Sequence, residues 1–98
     1  MGRLIYGRTE EFIEIEDRTL AHLRIVFMNK LRRGESFGMT LPTRHGSGSQ
    51  TLWMHATLPL QLVFIGSRMP AINIAWVNAL MESANSPEGL HIVREPEG

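Results

Sequence analysis

The sequence predicts an α+β domain in which two helices pack on one face of a mainly antiparallel sheet. Three observations lead there. Two segments, 17–33 and 72–84, repeat apolar residues every three to four positions, the helical period. Six shorter segments have strand length and are apolar or alternate apolar with polar. Turn-forming residues (RTE, GSGS, GSRMP, SPEG) separate them. The resulting order is ββ-α-βββ-α-β, and two helices of modest length most simply cover one sheet face.

Residues 3–7 and 11–16 read as two short strands. In the second, Ile13 and Ile15 alternate with Glu14 and Glu16, so one face is apolar and one is wet. Leu4 and Tyr6 share a side of the first. Asp17, the only aspartate, stands where the first helix begins and suits an N-cap, since its carboxylate can accept from free amides of the first turn. Leu20, Leu23, Phe27 and Leu31 form one stripe, with Arg18, His22, Asn29 and Arg33 opposite. Ile25, Val26 and Met28 add apolar surface beyond what one sheet needs. Lys30, Arg32 and Arg33 complement the negative helix end, and Gly34 supplies a left-handed stop.

Residues 36–42 and 50–56 read as strands joined by the TRHGSGS loop. Leu52 and Met54 fall on one face, Trp53 and His55 on the other. LQLVFI (60–65) is the most apolar run and is expected at the sheet centre. The second helix carries Trp76, Val77, Leu80, Met81 and Ala84 as its stripe, with Asn85 suited to a left-handed C-terminal position. Residues 90–94 make the last strand, and 94–98 are expected to fray. The whole, 1–98, reads as a single globular domain.

Composition narrows the function. Net charge is zero, so no global field attracts a polyanion. The charges are nonetheless uneven: Glu10, Glu11, Glu14, Glu16 and Asp17 cluster, and Arg24, Lys30, Arg32, Arg33 and Arg44 follow. Without cysteine there are no disulfides or thiolate metal sites, which suits a cytoplasmic setting. No apolar run is long enough to span a membrane, and the opening residues lack the apolar core of a signal peptide.

The chemistry-bearing residues are sparse. His22, His45, His55 and His91 match no metal-ligand spacing. Asp17 is better explained by helix chemistry than by a triad, and no nucleophile elbow is present. The loop from Arg44 to Ser49 lacks the phosphate-loop pattern and does not lead into a helix. No catalytic residue, cofactor or metal is therefore expected. The candidate binding surface is Lys30, Arg32, Arg33, Arg44, Trp53, His55, Arg68 and Asn73. Asn73 can also cap the second helix or tie down the GSRMP loop.

Several blocks of the chain, MGRLIYG (1–7), DRTLAHL (17–23), KLRRGESF (30–37), TLWMH (51–55), Gly66-Ser67-Arg68, Asn73, Ala75-Trp76, Ala79-Leu80-Met81 and SANSP (83–87), resemble a family of small actinobacterial proteins of unknown function. The resemblance covers nearly the full length. Members of that family carry the description ATP-dependent DNA ligase, which brings no functional residues with it. Such a ligase resembles covalent nucleotidyltransferases, whose nucleophilic lysine lies in a Lys-x-Asp-Gly motif. Here the only lysine, Lys30, is followed by Leu31, Arg32 and Arg33. The expectation is a non-catalytic binding or assembly domain that self-associates, as a homodimer. The alternative is a weak nucleic-acid-binding accessory module using Lys30, Arg32, Arg33, Arg44 and Trp53.

Overall fold

The computed structural model describes residues 1–9, 12–43 and 46–97. Glu10, Glu11, Arg44 and His45 lie outside the described residues. The elements are β1 (Gly2–Tyr6), β2 (Phe12–Ile15), α1 (Asp17–Arg32), β3 (Phe37–Pro42), β4 (Ser49–Met54), β5 (Leu60–Val63), α2 (Ile74–Ala84) and β6 (Leu90–His91), in the order predicted.

The α+β class holds, and the pairing is mostly antiparallel, but the strands divide into two three-stranded sheets, β2-β1-β5 and β4-β3-β6. In the first, β1 is central, pairing Leu4 with Ile13 on one side and Leu62 on the other. In the second, β3 is central, antiparallel to β4 and parallel to β6. The segment 60–65, expected at a sheet centre, is an edge. Its apolar residues Leu60 and Leu62 are only half-buried, and Ile65 has already left the strand and is exposed. Its apolar run therefore reflects one half-buried face followed by an outward-facing loop, not burial on both sides.

One core joins both sheets to both helices. Leu4 and Ile15 come from the first sheet and Met39, Leu41, Met54 and Leu90 from the second. Leu20, Leu23, Val26 and Phe27 come from α1, and Trp76, Leu80 and Ala84 from α2. The helix α1 touches both β1 and α2, which explains its surplus of apolar residues. Val26 is fully buried rather than spare, Ile25 is half-buried, and only Met28 faces water. His22, placed by its spacing on the polar side, is also fully buried. The Tyr6 hydroxyl donates to the Trp53 carbonyl at 2.6 Å and ties β1 to β4 across the two sheets.

The helix ends show which local signals were sufficient. At the C-terminus of α1, the Glu35 amide reaches the Lys30 carbonyl and the Gly34 amide the Leu31 carbonyl, with Gly34 at φ +75°. That is the double hydrogen bond of a Schellman stop, and it needs the left-handed glycine. At the N-terminus, the cap position is Glu16, with no side-chain cap bond. Asp17 lies one residue inside the helix and uses its carboxylate elsewhere. Asn73 does cap α2, accepting from the Trp76 amide. Asn85 is right-handed, not left-handed (φ −87°), and its side chain serves Lys30 instead. The left-handed position comes later, at Gly89 (φ +82°).

Residues 95 and 96 do not fray: Glu95 and the Pro96 carbonyl are held by Arg18 and Asn73. The buried Ser83 hydroxyl secures β6, donating to the Leu80 carbonyl and accepting from the His91 amide. Gly89 feeds β6 into its place beside β3. A Cβ there would lie 2.6 Å from the Gly38 carbonyl oxygen. Gly89→Ala combines that clash with a strained φ and should lower stability by about 1–3 kcal/mol or more. Urea denaturation checks this.

Candidate functional site

The first turns of α1 carry three side chains that all hold the segment 64–73, which joins β5 to α2. The Asp17 carboxylate accepts from the Gly66 amide at 2.8 Å and the Ile65 amide at 3.3 Å. The Arg18 guanidinium donates to the Ala71 carbonyl at 3.0 Å. The Asn73 amide donates to Nε2 of His22 at 2.8 Å. Since Nε2 accepts, Nδ1 carries the imidazole hydrogen and donates it to the Arg18 carbonyl at 2.6 Å. The ring also packs on Trp76, centroids 4.5 Å apart.

The C-terminal residues close this cluster. Glu95 takes a two-pronged contact from Arg18, at 2.9 and 2.6 Å, and a bond from Nδ2 of Asn73 at 2.9 Å. The Trp76 indole N–H donates to the Val93 carbonyl. Among the described residues no buried side-chain polar atom is left without a partner. Hydrogen bonding and charge shift the acids accordingly. The Gly66 amide, helped by that of Ile65, holds Asp17 below its ordinary value. Arg18, then Asn73, pull Glu95 from an ordinary 4.5 to about 2. Glu95 in turn raises Arg18.

Anchored at Ile65, Gly66, Ala71 and Asn73, the segment nonetheless presents several side chains to water. Ser67 and Arg68 are exposed, and Ile65, Met69 and Ile72 are between 40% and 59% exposed; Ile74, at the start of α2, is 65% exposed. Arg68 makes no ion pair among the described residues.

The two sheets share a core. Between them lies an open cleft of about 1150 Å³. Ile13, Leu41, Leu52 and Ile92 give it apolar walls, and Glu16, Thr19 and Gln50 supply polar groups. Such a concave, largely apolar surface is where ligands and partners usually bind.

Against this geometry the eight residues predicted as a surface fall into separate places. Lys30 is only 6% exposed; its ammonium donates to Asn85 Oδ1 at 2.5 Å, pairs with Glu35 at 3.1 Å and sits over the Phe37 ring. It is a buried strut rather than a solvated helix-end charge, because α2 ends against it. Arg32 and Arg33 are exposed, the latter 3.9 Å from Glu35. Trp53 is 60% exposed on the outer face of β4 and shares a smaller depression with Lys30, Gly38 and Pro87. His55 is exposed and its Nδ1 accepts from the Thr57 amide, a local turn. Arg68 and Asn73 belong to the anchored segment. Arg44 lies outside the described residues. The structure thus brings Lys30 and Trp53 to one depression and sets Arg68 and Asn73 in one connecting segment, but does not gather all of them onto one face.

A family model, domain of unknown function (DUF7882), matches residues 1–95. The chain belongs to that family. No curated protein and no solved structure matches it. The DUF7882 match spans the whole polar cluster, from Asp17 to Glu95.

Sequence reasoning missed His22, Arg18 and Glu95. Arg18 and His22 are four apart on one helix face, a spacing that lets them act together. Nothing local marks Glu95. Among the described residues no group of three His, Asp or Glu side chains could hold a metal ion.

The acid shifts set a pH dependence. A carboxylate with a lowered folded pKa stabilises the fold above its unfolded value, and that contribution disappears as pH falls through the folded one. For Glu95 the window runs from about 4.5 down to about 2, and Asp17 shifts in the same direction. Stability followed by denaturation from pH 6 to pH 2 should fall with acid. Glu95→Gln should be less stable at pH 6 and should show a shallower fall.

Proposed function

We propose that this member of the family is a non-catalytic binding and assembly domain that self-associates as a homodimer. The segment 64–73 carries the reading. Its backbone is fastened to α1 by Asp17, Arg18 and His22, yet Ile65, Met69 and Ile72 face water. A fold needing only to hide apolar surface has no reason to hold these side chains outward. Exposed large apolar side chains gathered on one short segment fit a contact site. A cytoplasmic setting accords with the cysteine-free composition. Among the described residues no helix is long and apolar enough to cross a membrane.

The surroundings of Lys30 speak against the covalent chemistry of the ligase description. An ammonium donating to Asn85 and paired with Glu35 has no lone pair to offer a phosphate.

The exposed Trp53 favours a second reading, a weak nucleic-acid contact. Lys30 is already engaged, which leaves Arg32 and Arg33, of the cations expected to serve this contact, exposed among the described residues. Two phosphate contacts give a salt slope of about −2, so such binding would be feeble at physiological salt.

Light scattering across micromolar concentrations tests the main reading. The expected mass is near twice 11.1 kDa at the upper end. A mass near 11.1 kDa throughout would remove self-association.

A further inference from the structure

We propose that two copies pair about a twofold axis, with the 64–73 segment of each seated over the mouth of the other's intersheet cleft. The inference rests on the self-association reading and names its surfaces.

The two surfaces match in chemistry. One is an exposed set of apolar side chains, Ile65, Met69 and Ile72, with the cation Arg68 among them in sequence. The other is a hollow with apolar walls, including Leu41 and Leu52, and the exposed carboxylate of Glu16 at its rim. Knob and hollow therefore pair apolar with apolar and positive with negative. The charge balance agrees: the chain is neutral overall but segregates its charge.

The two surfaces also adjoin on one protomer. The antiparallel register of β1 and β5 pairs Arg3 with Val63. Met1, two residues before Arg3, lines the cleft, and Ile65 follows two residues after Val63. Glu16 lines the cleft as well, and the next residue, Asp17, holds the Ile65 and Gly66 amides. A knob beside its complementary hollow is the arrangement a twofold axis requires. Each contact is then made twice and the assembly closes. Had the two lain on opposite sides, the same complementarity would build open chains.

The anchoring of the segment lowers what pairing must overcome. A loop already fixed in its bound shape loses little freedom on docking. Arg68 on each copy would face the partner's Glu16, giving two symmetric pairs. A standard interface covers about 800 Å² per protomer, roughly an eighth of this chain's 6417 Å² surface. A small guest in the cleft would leave the knob unexplained, whereas a second copy accounts for both.

Charge exchange tests the pairing. Arg68 and Glu16 are both exposed, so Arg68→Glu and Glu16→Lys should fold, which circular dichroism verifies. Each variant alone places like charges together twice and should lose at least tenfold in dimer affinity. An equimolar mixture of the two restores both opposite-charge pairs in the mixed dimer and should return the mass to that of the wild-type dimer. Met69→Asp, which changes the knob without touching the pair, should also dissociate it. If the wild type is a dimer and all three variants dimerise as tightly, the copies meet through another surface; that overturns this inference and leaves self-association standing. Variants that dissociate but do not recover on mixing overturn the Arg68–Glu16 assignment. A wild type that is monomeric throughout overturns the inference together with the reading beneath it.

Discussion

The contact between the His22 imidazole and the Asn73 amide organises this protein. His22 is fully buried, and a buried imidazole must have both ring nitrogens satisfied. One nitrogen serves its own helix, through the Arg18 carbonyl, and the other receives the residue that caps α2. One ring thereby fixes where the second helix starts relative to the first. Trp76, one turn into α2, packs on the same ring. Asn73 then uses its side chain to hold Glu95 and the Pro96 carbonyl, so the end of the chain is positioned by the same residue. Helix packing, loop shape and the C-terminal residues are parts of one network, and such networks are worth most when every member is satisfied.

Dividing the strands into two sheets follows from the same economy of surface. Six short strands in one sheet would need a long helical layer to cover one face. Instead α1 packs toward β1 and α2, while α2 packs toward β3 and β6. The sheets share a core with the helices, and a cleft lined from both sheets stays open. The cleft is the part of the inner surface left over. Its walls belong to residues that alternate along strands, such as Leu52 on β4, so the same period that builds the core also lines the cleft.

Much of the fold was legible in the sequence, because local signals act locally. The alternation of Ile13 and Ile15, the stripe of α1, the Gly34 stop and the Asn73 cap all settle structure within a few residues. What failed were particular side-chain inferences that depended on a distant partner. Asp17 looks like a cap, but its carboxylate is taken by amides nearly fifty residues away. His22 looks like a residue of the polar helix side and Lys30 like a solvated helix-end charge, but both are buried. The run at 60–65 looks central because hydropathy does not distinguish a strand buried on two faces from an edge strand followed by an exposed apolar loop. The candidate surface fared similarly: Arg68 and Trp53 are exposed as a binding surface requires, but they lie in different places, and the cleft has no short sequence signature.

Backbone anchoring of an outward-facing apolar segment is the central claim, and amide hydrogen exchange measures it most directly. The Asn73 and Gly66 amides lie in a stretch without secondary structure, where fast exchange would be ordinary. If the cluster holds the segment, both should exchange as slowly as amides of the middle of α2. His22→Ala should release Asn73 first. If the wild-type Asn73 amide instead exchanges as fast as that of the exposed Ser67, the anchoring is absent and the account built on it fails.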